Sequence, residues 1–95
     1  MDELKKILAM SNVNLIDVRT IEEFQSGSVA NAINIPMSEV TSRLNELKTL
    51  EPMVVFCRSG NRSAQVKSFL QQNGVDKIAN GGGWLDLNHI LADLT

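Results

Sequence analysis

Four short, mainly apolar runs, separated by stretches patterned for helices, constrain this chain more than any other feature. The runs are Asn14-Leu15-Ile16-Asp17-Val18, Ala32-Ile33-Asn34-Ile35, Met53-Val54-Val55-Phe56 and Lys77-Ile78-Ala79. Runs of this length suit buried strands rather than helices. Leu4, Ile7 and Leu8 recur at helical spacing ahead of the first run. Thr20-Ile21-Glu22-Glu23 matches a capping box, with Thr20 as N-cap and Glu23 reaching back, and Gly27 stops that helix. Pro36 closes the second run, because proline cannot donate to a sheet ladder. Met37, Val40, Leu44 and Leu47 fall on one face of the next helix. Ser63 to Asn73 reads as a helix with Ala64, Val66, Phe69 and Leu70 as its core stripe, ended by Asn73-Gly74. Gly81-Gly82-Gly83 reads as a flexible turn, and Trp84, Leu87, Leu91 and Leu94 line a final helix. Strands alternating with helices through short loops imply parallel pairing and an α/β sandwich. In such sheets functional groups gather beyond the carboxyl ends of the strands.

Length and composition narrow the field. The 95 residues are expected to form one domain spanning 1–95, just large enough to enclose a single core. A net charge of -2 and the absence of a lysine or arginine run argue against nucleic-acid binding. The single cysteine forbids an internal disulfide, and with one histidine beside it a structural zinc site fails on ligand count. No metal and no cofactor is expected. The first residues, Met1 to Leu8, carry acids early and no long apolar stretch, so neither a secretory signal nor a membrane span is expected. The expectation is a cytoplasmic protein, although a processed periplasmic chain would read the same way.

The chemistry concentrates at Cys57. It ends the third apolar run and is followed by Arg58-Ser59-Gly60-Asn61-Arg62-Ser63. That loop can point backbone N–H groups and two guanidinium groups back at the sulfur, and the helix behind it presents its positive end. Each feature favours thiolate over thiol, and the thiolate is the nucleophile. Cys57 is therefore read as a catalytic nucleophile. Gly60 supplies the backbone freedom for the amides to converge, and Arg58 suits an oxyanion, with Arg62 sharing that work. Ser59, Gly60, Asn61 and Ser63 are expected to act through their amides. Asp17 and Arg19 end the first strand and are expected to brace the loop beside the site, with Arg19 pairing to Glu22 or Glu23. Trp84 is read as core, and His89 is not expected to act as a base.

Four segments carry a resemblance to the single-domain rhodaneses, the thiosulfate sulfurtransferase family. Leu15-Ile16-Asp17-Val18-Arg19 with Glu22-Glu23-Phe24 resembles its first block, and Gly27 to Pro36 its second. Cys57 to Ser63 resembles the active-site loop, and Gly81-Gly82-Gly83-Trp84 the C-terminal block. Ser28 and Ala30-Asn31 depart from the family's usual histidine and proline-glycine. The resemblance implies a three-layer α/β/α sandwich with a four- or five-stranded parallel sheet. It also implies sulfur transfer through a Cys57 persulfide, from a small sulfur oxyanion donor such as thiosulfate to a thiol or cyanide acceptor. A protein persulfide donor or a thioredoxin-like acceptor fits the same chemistry, as does a persulfide carrier that does not turn over. Tyrosine-phosphatase-like enzymes place an arginine six positions after the cysteine. Here Arg62 stands five after Cys57, and the shorter loop suits one extra sulfur better than a phosphate. No second cysteine can resolve a persulfide, so the acceptor must come from outside.

Overall fold

The computed structural model describes residues 2–94. The chain order is α1 (Asp2–Leu8), β1 (Asn14–Asp17), α2 (Ile21–Gln25), β2 (Ile33–Asn34), a 3-10 turn (Met37–Glu39), α3 (Leu44–Lys48), β3 (Met53–Cys57), α4 (Asn61–Gln72), β4 (Ile78–Gly83) and α5 (Trp84–Leu94). The strands form one four-stranded sheet in the order β2-β1-β3-β4, and every pairing is parallel.

Alternation along β3 divides the core. Met53, Val55 and Cys57 face one side with Ile16, Val66 and Leu70, while Val54 and Phe56 face the other with Leu4, Ile7 and Leu87. All five β3 residues are buried, as a central parallel strand covered on both faces requires. The α/β/α arrangement with four strands is thus the observed one.

Three local readings change. The stretch expected to be one helix from Met37 splits into the 3-10 turn and the separate α3. Val40 and Leu47 still reach the core, but Met37 stays 36% exposed. On α4, Ala64 is exposed and Ser63 is fully buried in its stead. Leu94 is also exposed, beyond the core face of α5.

The largest change is the glycine run, which is strand rather than turn. Gly81, Gly82 and Gly83 extend β4 beside β3, with Phe56 paired to Gly82 and Cys57 to Gly83. The register slips between Val55 and Phe56, because Val55 pairs with Asn80 and Gly81 is the extra residue of a bulge. Close approach explains the composition. A Cβ on Gly81 would come within 2.8 Å of Val54 Cγ1, and one on Gly83 within 2.5 Å of the Arg58 carbonyl oxygen. Glycine in a strand interior commonly marks such a contact.

Candidate active site

β3 delivers Cys57 to the carboxyl end of the sheet, and the chain then turns through Arg58, Ser59 and Gly60 into α4. Gly60 makes that turn possible. It caps α4 in the left-handed region at φ 98°, a conformation that side chains resist. The turn brings the Gly60 N–H to 3.0 Å from Cys57 Sγ, and Ser63 Oγ stands 3.5 Å from the same sulfur. Cys57 is 1% exposed. Burial alone would push the thiol pKa up. The Ser63 hydroxyl and the backbone N–H groups of Ser63, Ser59 and Gly60 outweigh it and bring the thiol from 9.0 to about 7. About half the thiol is then ionised near neutral pH, against about one part in a hundred at the ordinary value.

The two arginines of the loop differ in their surroundings. Arg58 is exposed, with no side-chain hydrogen bond or ion pair to another described residue. Arg62 is already engaged: its two terminal nitrogens donate to the two carboxylate oxygens of Glu23 at 2.8 and 3.0 Å. That contact holds Glu23 at about 2, down from 4.5, with the Thr20 amide adding to it. It also raises the pKa of Arg62, to which the neighbouring Cys57 and Asp17 charges contribute less. Glu23 completes the expected capping box with Thr20 as well. One carboxylate therefore ties the start of α2 to the start of α4. Ser59 and Asn61 are exposed.

Asp17 and Arg19 do brace the adjoining loop, by a different pairing from the one expected. Arg19 binds Asp17 rather than Glu22 or Glu23, with its terminal nitrogen 2.7 Å from Asp17 Oδ2. The same guanidinium donates to the Gly27 carbonyl at 2.6 Å and lies 5.0 Å from the centre of the Trp84 ring. Ser28 Oγ donates to Asp17 Oδ2 at 2.7 Å. The carboxylate is fully buried and its partner nearly so, which suits a brace rather than a reacting group. His89 is exposed on α5. A cleft of about 300 Å3 lined by Val18, Thr20, Pro36, Met37, Ser38 and Arg62 opens beside the loop.

The family described as Rhodanese-like domain matches residues 1–87. The chain belongs to the rhodanese family. A thiosulfate sulfurtransferase of Escherichia coli K12, PspE, is 36% identical over 74 residues, covering 76% of this chain and 71% of that protein. A Bacillus subtilis protein named provisionally as a sulfur carrier, YrkF, is 32% identical over 76 residues, covering 80% of this chain. The chain spans only 41% of that relative and 52% of a second Bacillus subtilis relative. A solved structure described as a rhodanese with anions from Escherichia coli superposes with a TM-score of 0.70 at 35% identity, covering 78% of this chain and 89% of that one. The names of the Escherichia coli and first Bacillus subtilis relatives both refer to sulfur handling.

Sequence reading missed Asn80. Its carboxamide accepts from Ser63 Oγ at 2.7 Å and from the Gly82 N–H at 2.9 Å, and it donates to the Gly60 carbonyl at 3.1 Å. In the sequence Asn80 looks like the start of a glycine turn. The continuation of β4 through the glycine run places it opposite Val55 and under the loop.

Proposed function

We propose that this rhodanese transfers sulfane sulfur from thiosulfate or a related donor to a thiol or cyanide, through a persulfide on Cys57. The observation that carries the reading is the buried Cys57 sulfur held by the Gly60 N–H at 3.0 Å, with its thiol brought down to about 7. The thiolate attacks the outer sulfur of thiosulfate. A new S–S bond forms, the old one breaks, and sulfite leaves with the bonding pair. Negative charge now rests on the outer sulfur of the persulfide, where the loop amides stabilise it without a proton shuttle. Cyanide or a thiolate then attacks that outer sulfur and returns the Cys57 thiolate. Arg58 carries the unpaired guanidinium suited to the sulfite end of the donor, while Arg62 contributes through its field. The name of the Escherichia coli relative supports thiosulfate as donor.

A second reading has a specific observation behind it. The Bacillus subtilis relative bears a sulfur carrier's name, and this chain has no second cysteine to resolve a persulfide. A carrier would load from a protein persulfide and hand the sulfur to a partner. Steady-state assays with thiosulfate and cyanide separate the two. The enzyme gives parallel double-reciprocal lines, as a ping-pong reaction requires, and Cys57→Ala abolishes turnover. Loading by a protein persulfide without thiosulfate turnover overturns the first reading in favour of the second. Hydrolysis of an aryl phosphate would contradict both.

A further inference from the structure

We propose that Asn80 is a positioning residue for Cys57: its carboxamide holds Gly60 with the N–H on the sulfur and shares the single Ser63 hydroxyl proton with that sulfur. The inference rests on Cys57 as the reacting group and assigns a role to a side chain outside the loop.

The geometry is a closed set of contacts. Asn80 Nδ2 donates to the Gly60 carbonyl at 3.1 Å, and the Ala64 N–H reaches the same oxygen at 3.0 Å. Gly60 is thereby fixed on its carbonyl side while its N–H points at Sγ. A Cβ at Gly60 would stand 3.3 Å from Gly82 Cα and 3.9 Å from Asn80 Nδ2, so the loop rests directly on the bulged strand. Ser63 is fully buried, and its hydroxyl carries one hydrogen for two acceptors. Asn80 Oδ1 is at 2.7 Å and Cys57 Sγ at 3.5 Å.

Two arrangements follow from counting donors. With a neutral thiol, the hydroxyl proton lies on Asn80 Oδ1, and the Ser63 oxygen can accept the S–H. With a thiolate, the hydroxyl turns its proton to the sulfur, where a charged acceptor makes the stronger bond. Asn80 Oδ1 then keeps the Gly82 N–H at 2.9 Å, so neither arrangement strands a buried acceptor. The hydroxyl only rotates; no bond to hydrogen breaks within the trio. The regular register of β4 sets Asn80 opposite Val55, on the face of β3 that Cys57 shares, and the bulge at Gly81 then sets Gly82 opposite Phe56.

The charged groups around the thiol are Arg58 on the loop, Arg62 with Glu23 from α2, the Asp17–Arg19 pair ending β1, and Asp86 on α5 near Gly83. Asn80 adds no charge to them, so its effect is one of aim.

The test is the pH profile of Cys57 alkylation by iodoacetamide, followed by intact mass, with a thermal melt on every variant. It needs no sulfur donor, so a failure of the sulfur-transfer reading does not touch it. Asn80→Ala should move the midpoint upward and slow alkylation several-fold at pH 7, because losing the aim of the Gly60 N–H outweighs the release of the Ser63 hydroxyl to the sulfur. Ser63→Ala should slow it more in the Asn80→Ala background than in the wild type, because the hydroxyl then serves the sulfur alone. Should Asn80→Ala fail to fold, the nearly isosteric Asn80→Leu removes both the donor and the acceptor without adding a charge, and its midpoint should rise too. An unmoved midpoint with only a lowered melting temperature, in whichever variant folds, overturns the proposal. So do strictly additive effects of Asn80→Ala and Ser63→Ala.

Discussion

Replacing Gly83 with alanine separates what β4 does for the thiol from what it does for the core. The added Cβ would sit 2.5 Å from the carbonyl oxygen of Arg58. Close carbon–oxygen contacts in proteins run at about 3.3 to 3.6 Å, so one backbone segment has to give way by roughly 1 Å. The oxygen is backbone and the Cβ moves only with its own backbone, so no flexible side-chain end can absorb the shift. Arg58 leads directly into Ser59 and Gly60, whose N–H groups help hold the thiol down, so the displacement falls on those donors. Loss of one preorganised donor typically costs about a hundredfold or more in rate, and overpacking of this kind costs about 1–3 kcal/mol of stability. Gly81→Ala provides the contrast. Its Cβ would meet Val54 Cγ1 at 2.8 Å and Leu87 Cδ2 at 3.0 Å, both core side chains away from the sulfur. It should cost a similar amount of stability, at about 4–8 °C per kcal/mol for a domain this size. The assay pairs thermal melts with iodoacetamide alkylation at pH 7. Gly83→Ala should alkylate at least tenfold more slowly than wild type, whereas Gly81→Ala should melt lower but alkylate normally. Wild-type thiol reactivity in Gly83→Ala refutes the argument that this approach sets the loop.

Three further outcomes are expected. The Cys57 thiol ionises at about 7 in the folded protein against 9.0 ordinarily, so the folded state loses its proton first and stability rises from pH 7 towards 9. That contribution is complete above 9 and is lost as pH falls through 7, at no more than about 1.4 kcal/mol per pH unit. Denaturant titrations of wild type against Cys57→Ala should diverge over this window, and parallel curves would contradict the shift. Asp17→Ala leaves the buried Arg19 guanidinium without its partner, an arrangement that typically costs about 3–5 kcal/mol; a loss below about 1 kcal/mol in urea unfolding would count against the brace. Glu23→Gln weakens an ion pair whose side chains are about a third exposed while leaving a residue able to form the capping box. Urea unfolding should show a loss of only about 0.2–1 kcal/mol, and a much larger loss would mean that the strut between α2 and α4 carries more than its exposure implies.

Signals that depend on local order were legible in the sequence. The alternation of strand and helix gave the parallel sheet, Thr20 to Glu23 gave the capping box, and Cys57 ahead of a glycine-bearing loop gave the amide turned toward the sulfur, though not the burial of that sulfur. What stayed hidden depends on contacts between distant segments. Gly81 to Gly83 look like a turn because glycine is permissive, and only the neighbouring Val54, Leu87 and Arg58 backbone atoms reveal a strand that must lie close. Asn80 owes its place to β4 continuing through the glycine run opposite Val55, which no local pattern marks. Arg62 was expected to share the oxyanion with Arg58, but Glu23, 39 residues away, holds its fork. Arg19 faced three carboxylates within four positions, and the one on its own strand end was nearest after folding.

The central claim, that Cys57 is a loop-held thiolate that accepts sulfur, is tested most directly by intact mass after incubation with thiosulfate and removal of the excess. The account predicts a gain of one sulfur atom, lost on adding cyanide and absent in Cys57→Ala. An unchanged mass in wild type, under conditions where iodoacetamide alkylates Cys57 readily, would contradict thiosulfate as its donor.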